Sequence, residues 1–263
     1  MSTAAARIEA LLRLCAQLRD PQHGCPWDRA QTLATIAPHT IEEAYEVADA
    51  VATGEPSRIR DELGDLLFQV LLQAQLASEQ GWFDFSDVAA GLHDKLVRRH
   101  PHVFAGERPA HSEALARAWD EHKAAERAAA GLGGALAGVP RALPALVRAA
   151  KLSRRAARVG FDWPGEHAVR PKIAEELRET EAAVAAGDAT SVAEELGDTL
   201  FALVNWARLL GVDPEVALRN ANDKFARRFE AMEARIAARR QTATELSAEA
   251  WDQLWTEAKA AEK

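Results

Sequence analysis

Cysteine is scarce in this 263-residue chain, which contains two, Cys15 and Cys25. Their spacing forms neither a C-x-x-C pair nor the framework of a domain that depends on disulfides. We therefore expect both thiols to be reduced, as is usual for a cytoplasmic protein.

Long apolar runs are also lacking. The longest, residues 66–72, is interrupted by Gln69 and is far too short to span a bilayer. The first residues carry Arg7, Glu9 and Arg13 among their apolar positions, so we expect no signal-peptide core. These features predict a cytoplasmic protein with no membrane partner.

The usual catalytic signatures are missing too. The chain has no G-x-S-x-G, no Cys/His pairing and no H-E-x-x-H pattern. Its glycine-rich segment at 131–138 is not followed by G-K-[ST], which makes it a weak candidate for a phosphate loop. A formal net charge of −8 argues against a large nucleic-acid-binding face. A polyphosphate could still bind where a metal ion and local basic residues reverse the charge.

What the sequence does contain is paired carboxylates. Glu176 and Glu179 are three residues apart, as are Glu195 and Asp198, and residues at this spacing share one face of a helix. Because adjacent carboxylates repel each other, helix stability does not explain them. The polar break at 187–191 predicts a helical hairpin that brings both pairs together. Oxygen-only ligands favour Mg²⁺, or Mn²⁺ in its place, over zinc.

These carboxylates could also form a solvated acidic face or a di-iron site. Acidic helical faces are commonly just solvated. Di-iron bundles use Glu-x-x-His on two helices, whereas the i+3 position here is always Glu or Asp. The second interpretation is therefore rejected, and the first is disfavoured because the pattern occurs twice.

The chain contains an internal repeat. Glu43 and Glu176 are 133 residues apart, as are Asp65 and Asp198, and E-L-G-D-L-L-F returns as E-L-G-D-T-L-F. No stretch shows the period-2 alternation of strands, so we predict an all-α protein of tandem helical-bundle domains. We place the domains at 1–127 and 141–263, joined by an Ala/Gly-rich linker at 128–140.

Two helix starts can be predicted within this repeat. Thr40 is a plausible N-cap, with Glu43 at the capping-box position. Asp188 or Ser191 could cap the helix that follows the break in the second half.

Basic and aromatic residues follow the carboxylates in each half. Lys224, Arg227 and Arg228 share a helical face and could neutralise a metal-bound polyphosphate. Lys172 lies one turn before Glu176, and Trp255 offers a flat surface on which a nucleobase could stack. The alternatives are surface ion pairs for the basic residues and a core position for Trp255.

This ordered set of motifs resembles the MazG family of nucleoside triphosphate pyrophosphohydrolases. The resemblance spans nearly the whole chain, including D-P-Q-H-G-C-P-W-D, R-R-H-P-H-V-F and V-G-F-D-W. It implies an all-α fold, Mg²⁺ dependence, a homodimer, and hydrolysis of NTPs and dNTPs to the monophosphate and pyrophosphate. Its metal ligands correspond to Glu176, Glu179, Glu195 and Asp198, with Glu43, Glu46, Glu62 and Asp65 in the first half. Its nucleotide contacts correspond to Lys172, Lys224, Arg227, Arg228 and Trp255, with Lys95, Arg98, Arg99 and Trp119 in the first half.

The halves differ at one informative position, because His39 occurs where the second half has Lys172. A typical histidine is mostly uncharged at neutral pH. We therefore expect the second half to hold the main catalytic site, with Glu176 and Lys172 central and Glu175 a candidate to orient or deprotonate the attacking water. The alternatives are a regulatory module that binds Mg²⁺–nucleotide without turnover, and a purely structural bundle.

Overall fold

A computed structural model describes residues 3–106, 126, 131 and 133–262. Every regular element in these ranges is helical, which confirms the all-α prediction. The chain divides into two compact units, Met1–His122 and Lys123–Lys263. The finer boundaries at 127/128 and 140/141 stay a prediction, and the predicted helix around Glu113 lies outside the described residues apart from Glu126. Among the described helices, none is long and apolar enough to cross a membrane.

The first unit is organised around a helical hairpin. Its described helices are α1 (Ala4–Leu18), α2 (Pro26–Ala30), α3 (Leu33–Thr53), α4 (Pro56–Glu79), α5 (Phe85–Arg99) and α6 (Pro101–Phe104). Helix α3 packs along α4, and α1 and α5 also contact α4. Ile36, Leu72 and Leu76 form the buried core between α3 and α4. This packing holds the acidic residues of the two helices side by side.

The start of α3 differs from the prediction. The helix begins at Leu33, where Thr32 is the N-cap and forms a capping box with Thr35. The predicted cap at Thr40 is wrong, because the Thr40 hydroxyl lies inside the helix, within hydrogen-bonding distance of the Ile36 carbonyl. Pro38 obscured this start in the sequence, since proline usually marks the first turn of a helix and not its interior.

The second unit repeats the hairpin. Its helices are α7 (Ala145–Arg158), α8 (Glu166–Ala186), α9 (Ala189–Leu209), α10 (Pro214–Ala238) and α11 (Ala248–Ala261), with a 3₁₀ turn at Ala243–Glu245. Helix α8 packs along α9, α7 contacts α9 and α10, and α11 packs on α10. Met232, Ile236, Leu254 and Ala258 form the core between α10 and α11.

The predicted break between α8 and α9 is confirmed. Helix α8 ends at Gly187, whose φ of 71° lies in the left-handed region that glycine adopts without strain. Asp188 then caps α9, accepting hydrogen bonds from the backbone N–H groups of Thr190 and Ser191. The tight turn makes α8 and α9 antiparallel neighbours, so carboxylates from both helices can meet.

Candidate active site

Carboxylates of the second unit meet where α8 faces α9. Glu176 and Glu179 on α8 and Glu195 on α9 each offer an oxygen, and these oxygens lie within 4.8 Å of one another. Burial raises the pKa of Glu195, and the negative charges of Glu179, Glu176 and Asp198 raise it further. The site therefore concentrates negative charge around Glu195.

Lys172 lies next to Glu176, the most buried carboxylate of this cluster. Its Nζ is 2.9 Å from Oε1 of Glu175 and 2.8 Å from Oε1 of Glu176, which are the i+3 and i+4 positions of α8. Hydrogen bonds to Glu175 and then Glu176 raise the pKa of Lys172 above its usual range. The hydrogen bond from Lys172 lowers the pKa of Glu175. Lys172 is therefore charged at any physiological pH, and Glu175 is a weak base.

A cavity of about 570 Å³ opens beside these residues. Lys172, Glu176 and Asp198 form its charged side, so Asp198 belongs to the same site although it is not among the three converging carboxylates. The remaining walls are mainly apolar and aromatic: Leu136, Leu152, Ser153, Ala156, Gly160, Phe161, Asp162, Trp163, Val169, Phe201, Ala202 and Asn205. Leu136, which the sequence assigned to the linker, is one of these walls.

The first unit contains a similar carboxylate cluster in a different setting. Glu43, Glu62 and Asp65 bring oxygens within 4.8 Å of one another. Glu46, the fourth predicted ligand, is not among these three residues, and burial followed by the charge of Glu43 raises its pKa. The Gln69 amide donates a hydrogen bond of 3.3 Å to Glu43.

His39 makes one of the two carboxylate contacts that its counterpart Lys172 makes. Its Nδ1 lies 3.3 Å from Oε2 of Glu42, the residue equivalent to Glu175. Lys172 contacts Glu176 as well as Glu175, whereas the described contacts of the first unit include no equivalent pairing of His39 with Glu43.

The predicted nucleotide contacts in the second unit lie on α10 and α11. Lys224 and Arg227 are exposed on α10. Arg228 donates from Nε to Oε2 of Glu262 at 2.7 Å, and its guanidinium lies 5.5 Å from the ring centre of Trp255. Trp255 also packs against Phe225 and the α10–α11 core, and it is not among the residues that line the cavity.

In the first unit, Lys95, Arg98 and Arg99 lie near the end of α5. Trp119 lies outside the described residues. The assignment of all these residues to nucleotide binding stays a prediction.

Comparison with known proteins places the site in a family. The family model described as the MazG nucleotide pyrophosphohydrolase domain matches residues 31–104 and 165–233. A protein of Escherichia coli (strain K12) named "Nucleoside triphosphate pyrophosphohydrolase" is 48% identical over 255 residues, 96% of this chain and 97% of its own. The chain belongs to the MazG family.

Other MazG relatives agree with this assignment. A Thermotoga maritima protein named "Nucleoside triphosphate pyrophosphohydrolase/pyrophosphatase MazG" is 40% identical over 259 residues, 98% of each chain. A Mycolicibacterium smegmatis protein named "Nucleoside triphosphate pyrophosphohydrolase" is 37% identical over 183 residues, 62% of this chain and 56% of its own. The two matched segments contain the α3–α4 and α8–α9 hairpins, so each MazG match includes one carboxylate cluster.

The donor set of the MazG hairpin fits a divalent cation. All its converging groups are carboxylate oxygens, the ligands that hard cations take, and burial followed by the neighbouring negative charges raises the pKa of Glu195. Lys172 contacts one oxygen of Glu176. A cation bound by the other carboxylate oxygens would therefore share Glu176 with Lys172.

Two uncharged polar residues of the cavity, Ser153 and Asn205, could not be predicted from motifs. Ser153 and Asn205 belong to no motif, and α7, which carries Ser153, lies outside the matched MazG segments. One signal was available for Asn205. At the 133-residue offset that aligns the carboxylates, Asn205 corresponds to the fully buried Leu72 of the first repeat. The second repeat therefore has a polar residue where the first has an apolar one.

Proposed function

We propose that the chain hydrolyses nucleoside triphosphates, both NTPs and dNTPs, to the nucleoside monophosphate and pyrophosphate, and so removes nucleotides from the cellular pool. The observation that carries this proposal is the convergence of Glu176, Glu179 and Glu195 beside Lys172 and a cavity large enough for a nucleoside. The printed names of the relatives support the same reaction.

The carboxylates would hold the cofactor. In the second unit Glu176, Glu179, Glu195 and Asp198 are the proposed ligands, and in the first unit Glu43, Glu46, Glu62 and Asp65 are. Bound Mg²⁺, or Mn²⁺ in its place, would polarise the phosphoryl group and lower the pKa of a water molecule.

The other residues of the site would position charge. The oxygen of a water molecule would attack the α-phosphorus and lose its proton to solvent. The bond from that phosphorus to the bridging oxygen would break, and its electron pair would leave with the pyrophosphate. Lys172 would neutralise phosphate oxygens next to Glu176. Because Lys172 lowers the pKa of Glu175, this carboxylate is better suited to orienting the attacking water than to removing its proton. Lys224, Arg227 and Arg228 are the proposed contacts of the departing pyrophosphate, with Trp255 near the nucleotide.

The second unit is the proposed main catalytic site. It has a lysine where the first has His39, and a cavity lies beside its carboxylates. Lys95, Arg98, Arg99 and Trp119 would serve a first site that is slower, differently selective or mainly structural.

We also propose a cytoplasmic homodimer. Helix α9 presents Leu196, Leu200 and Leu203 at i, i+4 and i+7, and each is more than a third exposed. A continuous apolar stripe of this kind is typical of a protein interface. A second copy of the chain is the partner that the MazG resemblance implies.

Hydrolysis can be tested directly. The chain is incubated with ATP or dCTP and Mg²⁺, and monophosphate and pyrophosphate are quantified. Glu176→Gln should abolish turnover while the thermal unfolding curve stays cooperative, whereas Glu181→Gln, on an exposed part of α8, should match the wild type. Nucleotide binding without these products would favour the regulatory module, and full activity of Glu176→Gln at saturating Mg²⁺ would refute the ligand assignment.

A further inference from the structure

The cavity of the second unit contains a buried hydroxyl that has no partner. Ser153 is 5% exposed, and its Oγ makes no hydrogen bond within the part of the chain that the structure describes. A buried polar group without a partner costs free energy, so its position at a cavity wall needs an explanation. A ligand with a polar edge would supply the missing hydrogen bond.

Asn205 provides a second polar group, and its orientation is fixed. Arg208 donates from Nε to Oδ1 of Asn205 at 2.8 Å. Because a guanidinium can only donate, the amide oxygen must face Arg208, and both N–H donors of Asn205 stay available for a ligand in the cavity. Arg208 also forms an ion pair with Asp162, which belongs to the cavity loop.

The same loop carries an aromatic ring that the fold leaves uncovered. Phe161 follows Gly160 and is 82% exposed although it lines the cavity, and Trp163 follows two residues later. The ion pair of Asp162 with Arg208 anchors the loop between these two rings. A flat ligand in the cavity would cover Phe161, and stacking on an aromatic ring is a favourable contact for any nucleobase.

The first repeat serves as an internal comparison. At the 133-residue offset, Ala202 corresponds to Gln69 and Asn205 to Leu72. Gln69 is buried and hydrogen bonds to Glu43, and Leu72 is fully buried in the core. In the second unit, Ala202 leaves space at the cavity wall and Asn205 offers donors. In the first unit, the larger Gln69 and the apolar Leu72 occupy the same two positions.

We infer that this cavity binds the nucleobase of the substrate, with Ser153 and Asn205 as the residues that determine base specificity. Because Asn205 offers donors, the cavity favours bases that present an exocyclic carbonyl oxygen, namely guanine, uracil, thymine and cytosine. Adenine is disfavoured because its exocyclic amino group donates, which leaves only its ring nitrogens to accept. The inference rests on the proposed function, since Glu176 and Lys172 belong to both the cavity and the carboxylate site.

The test compares base selectivity in four variants. Asn205→Leu and Ala202→Gln introduce the residues of the first repeat, Phe161→Ala removes the exposed ring, and Asn220→Leu on the exposed surface of α10 is the matched control. We measure kcat/KM for UTP, GTP and ATP, together with the thermal shift caused by UMP and AMP in the presence of Mg²⁺.

We expect the wild type to prefer UTP and GTP to ATP. Asn205→Leu should reduce that preference about tenfold, and Ala202→Gln should raise KM for every base. Phe161→Ala should raise KM without changing Tm, because the ring is already exposed. Unchanged base ratios in Asn205→Leu and unchanged KM in Ala202→Gln would overturn the inference while leaving the hydrolase intact.

If no triphosphate is hydrolysed, the proposed function fails and the thermal shift decides the cavity separately. A larger shift with UMP than with AMP, lost in Asn205→Leu, supports the base site. Equal shifts, or shifts that persist in that variant, refute it.

Discussion

Lys172 and Glu176 form an ion pair with an Nζ–Oε1 distance of 2.8 Å, and both side chains line the cavity beside the carboxylate cluster. The Glu176 side chain is almost fully buried, whereas Lys172 is about one-third exposed. The lysine therefore provides the charge that makes a buried carboxylate tolerable at this position. It also leaves a positive charge at the cavity edge, where a phosphate would enter.

Replacing Lys172 should impair catalysis more than folding. Lys172→Met removes the only cation that the described contacts place on Glu176, and we expect kcat/KM to fall on the order of 10²-fold, as for loss of a charge-stabilising donor. Lys172→His copies the first repeat and should recover activity as pH falls and the imidazole becomes protonated. Steady-state kinetics across a pH series makes the comparison.

The control for this prediction is Lys151→Met on the exposed surface of α7. It should leave the kinetics at the wild-type level. Equal activity of Lys172→Met and the wild type at subsaturating nucleotide would show that this lysine has no part in turnover.

Removing one charge of the cluster should stabilise the metal-free protein. Burial and the neighbouring carboxylates raise the pKa of Glu195, so the folded state holds its proton more tightly than the unfolded state. Protonation of Glu195 therefore stabilises the folded state at pH values below the pKa that Glu195 has in the unfolded chain. This stabilisation is lost as the pH rises through the pKa of Glu195 in the folded state. At neutral pH, Glu195→Gln should therefore have a higher Tm than the wild type without metal, and the difference should shrink in acid.

Mg²⁺ should reverse this order. Mg²⁺ binds the folded state and should raise the Tm of the wild type. The increase should be much smaller for Glu195→Gln, which lacks one ligand charge. Differential scanning calorimetry with EDTA or Mg²⁺ at two pH values tests both effects, with Glu181→Gln as control. A lower metal-free Tm for Glu195→Gln would contradict the proposed repulsion.

The sequence predicted the helical hairpins because their signals are local. The i, i+3 carboxylates, the Gly187–Asp188 break and the repeat could be read without long-range information, and they placed Glu176, Glu179 and Glu195 correctly on facing helices. The start of α3 was missed for the same local reason, since Pro38 and Thr40 favour a helix start that the buried Ile36 overrides. The cavity could not be predicted, because Ser153 and Asn205 come together through the packing of α7 on α9.

A charge in the apolar stripe of α9 should weaken the proposed dimer. Leu200 is 49% exposed, so Leu200→Asp should cost little within one subunit but would bury an unpaired carboxylate between two. Analytical ultracentrifugation should show a dimer for the wild type and a monomer for the variant. Ala248→Asp, at the first turn of α11 where a negative charge is favourable, is the control. If the wild type is a monomer, the proposal that this stripe forms a dimer interface is refuted.

Replacing the glycine of an E-L-G-D motif by alanine should have the opposite effect on stability from replacing the glycine of the hairpin turn. Gly197 lies inside α9, where Ala is favoured over Gly by about 0.8–1 kcal/mol, and an added Cβ would meet nothing within 4 Å. Gly64 in the first repeat is in the same situation. The packing within the described chain therefore does not require either glycine, and the space beside each is open to a ligand or a partner.

Gly197→Ala should accordingly raise the free energy of unfolding of the metal-free protein while lowering kcat/KM or weakening dimerisation. Gly187→Ala is the contrasting control, because its positive φ makes any side chain costly by about 1–2 kcal/mol, and it should lower stability. Urea denaturation, kinetics and ultracentrifugation on the two variants separate these effects. A stabilised Gly197→Ala with wild-type kinetics and wild-type association would show that the glycine serves neither ligand nor partner.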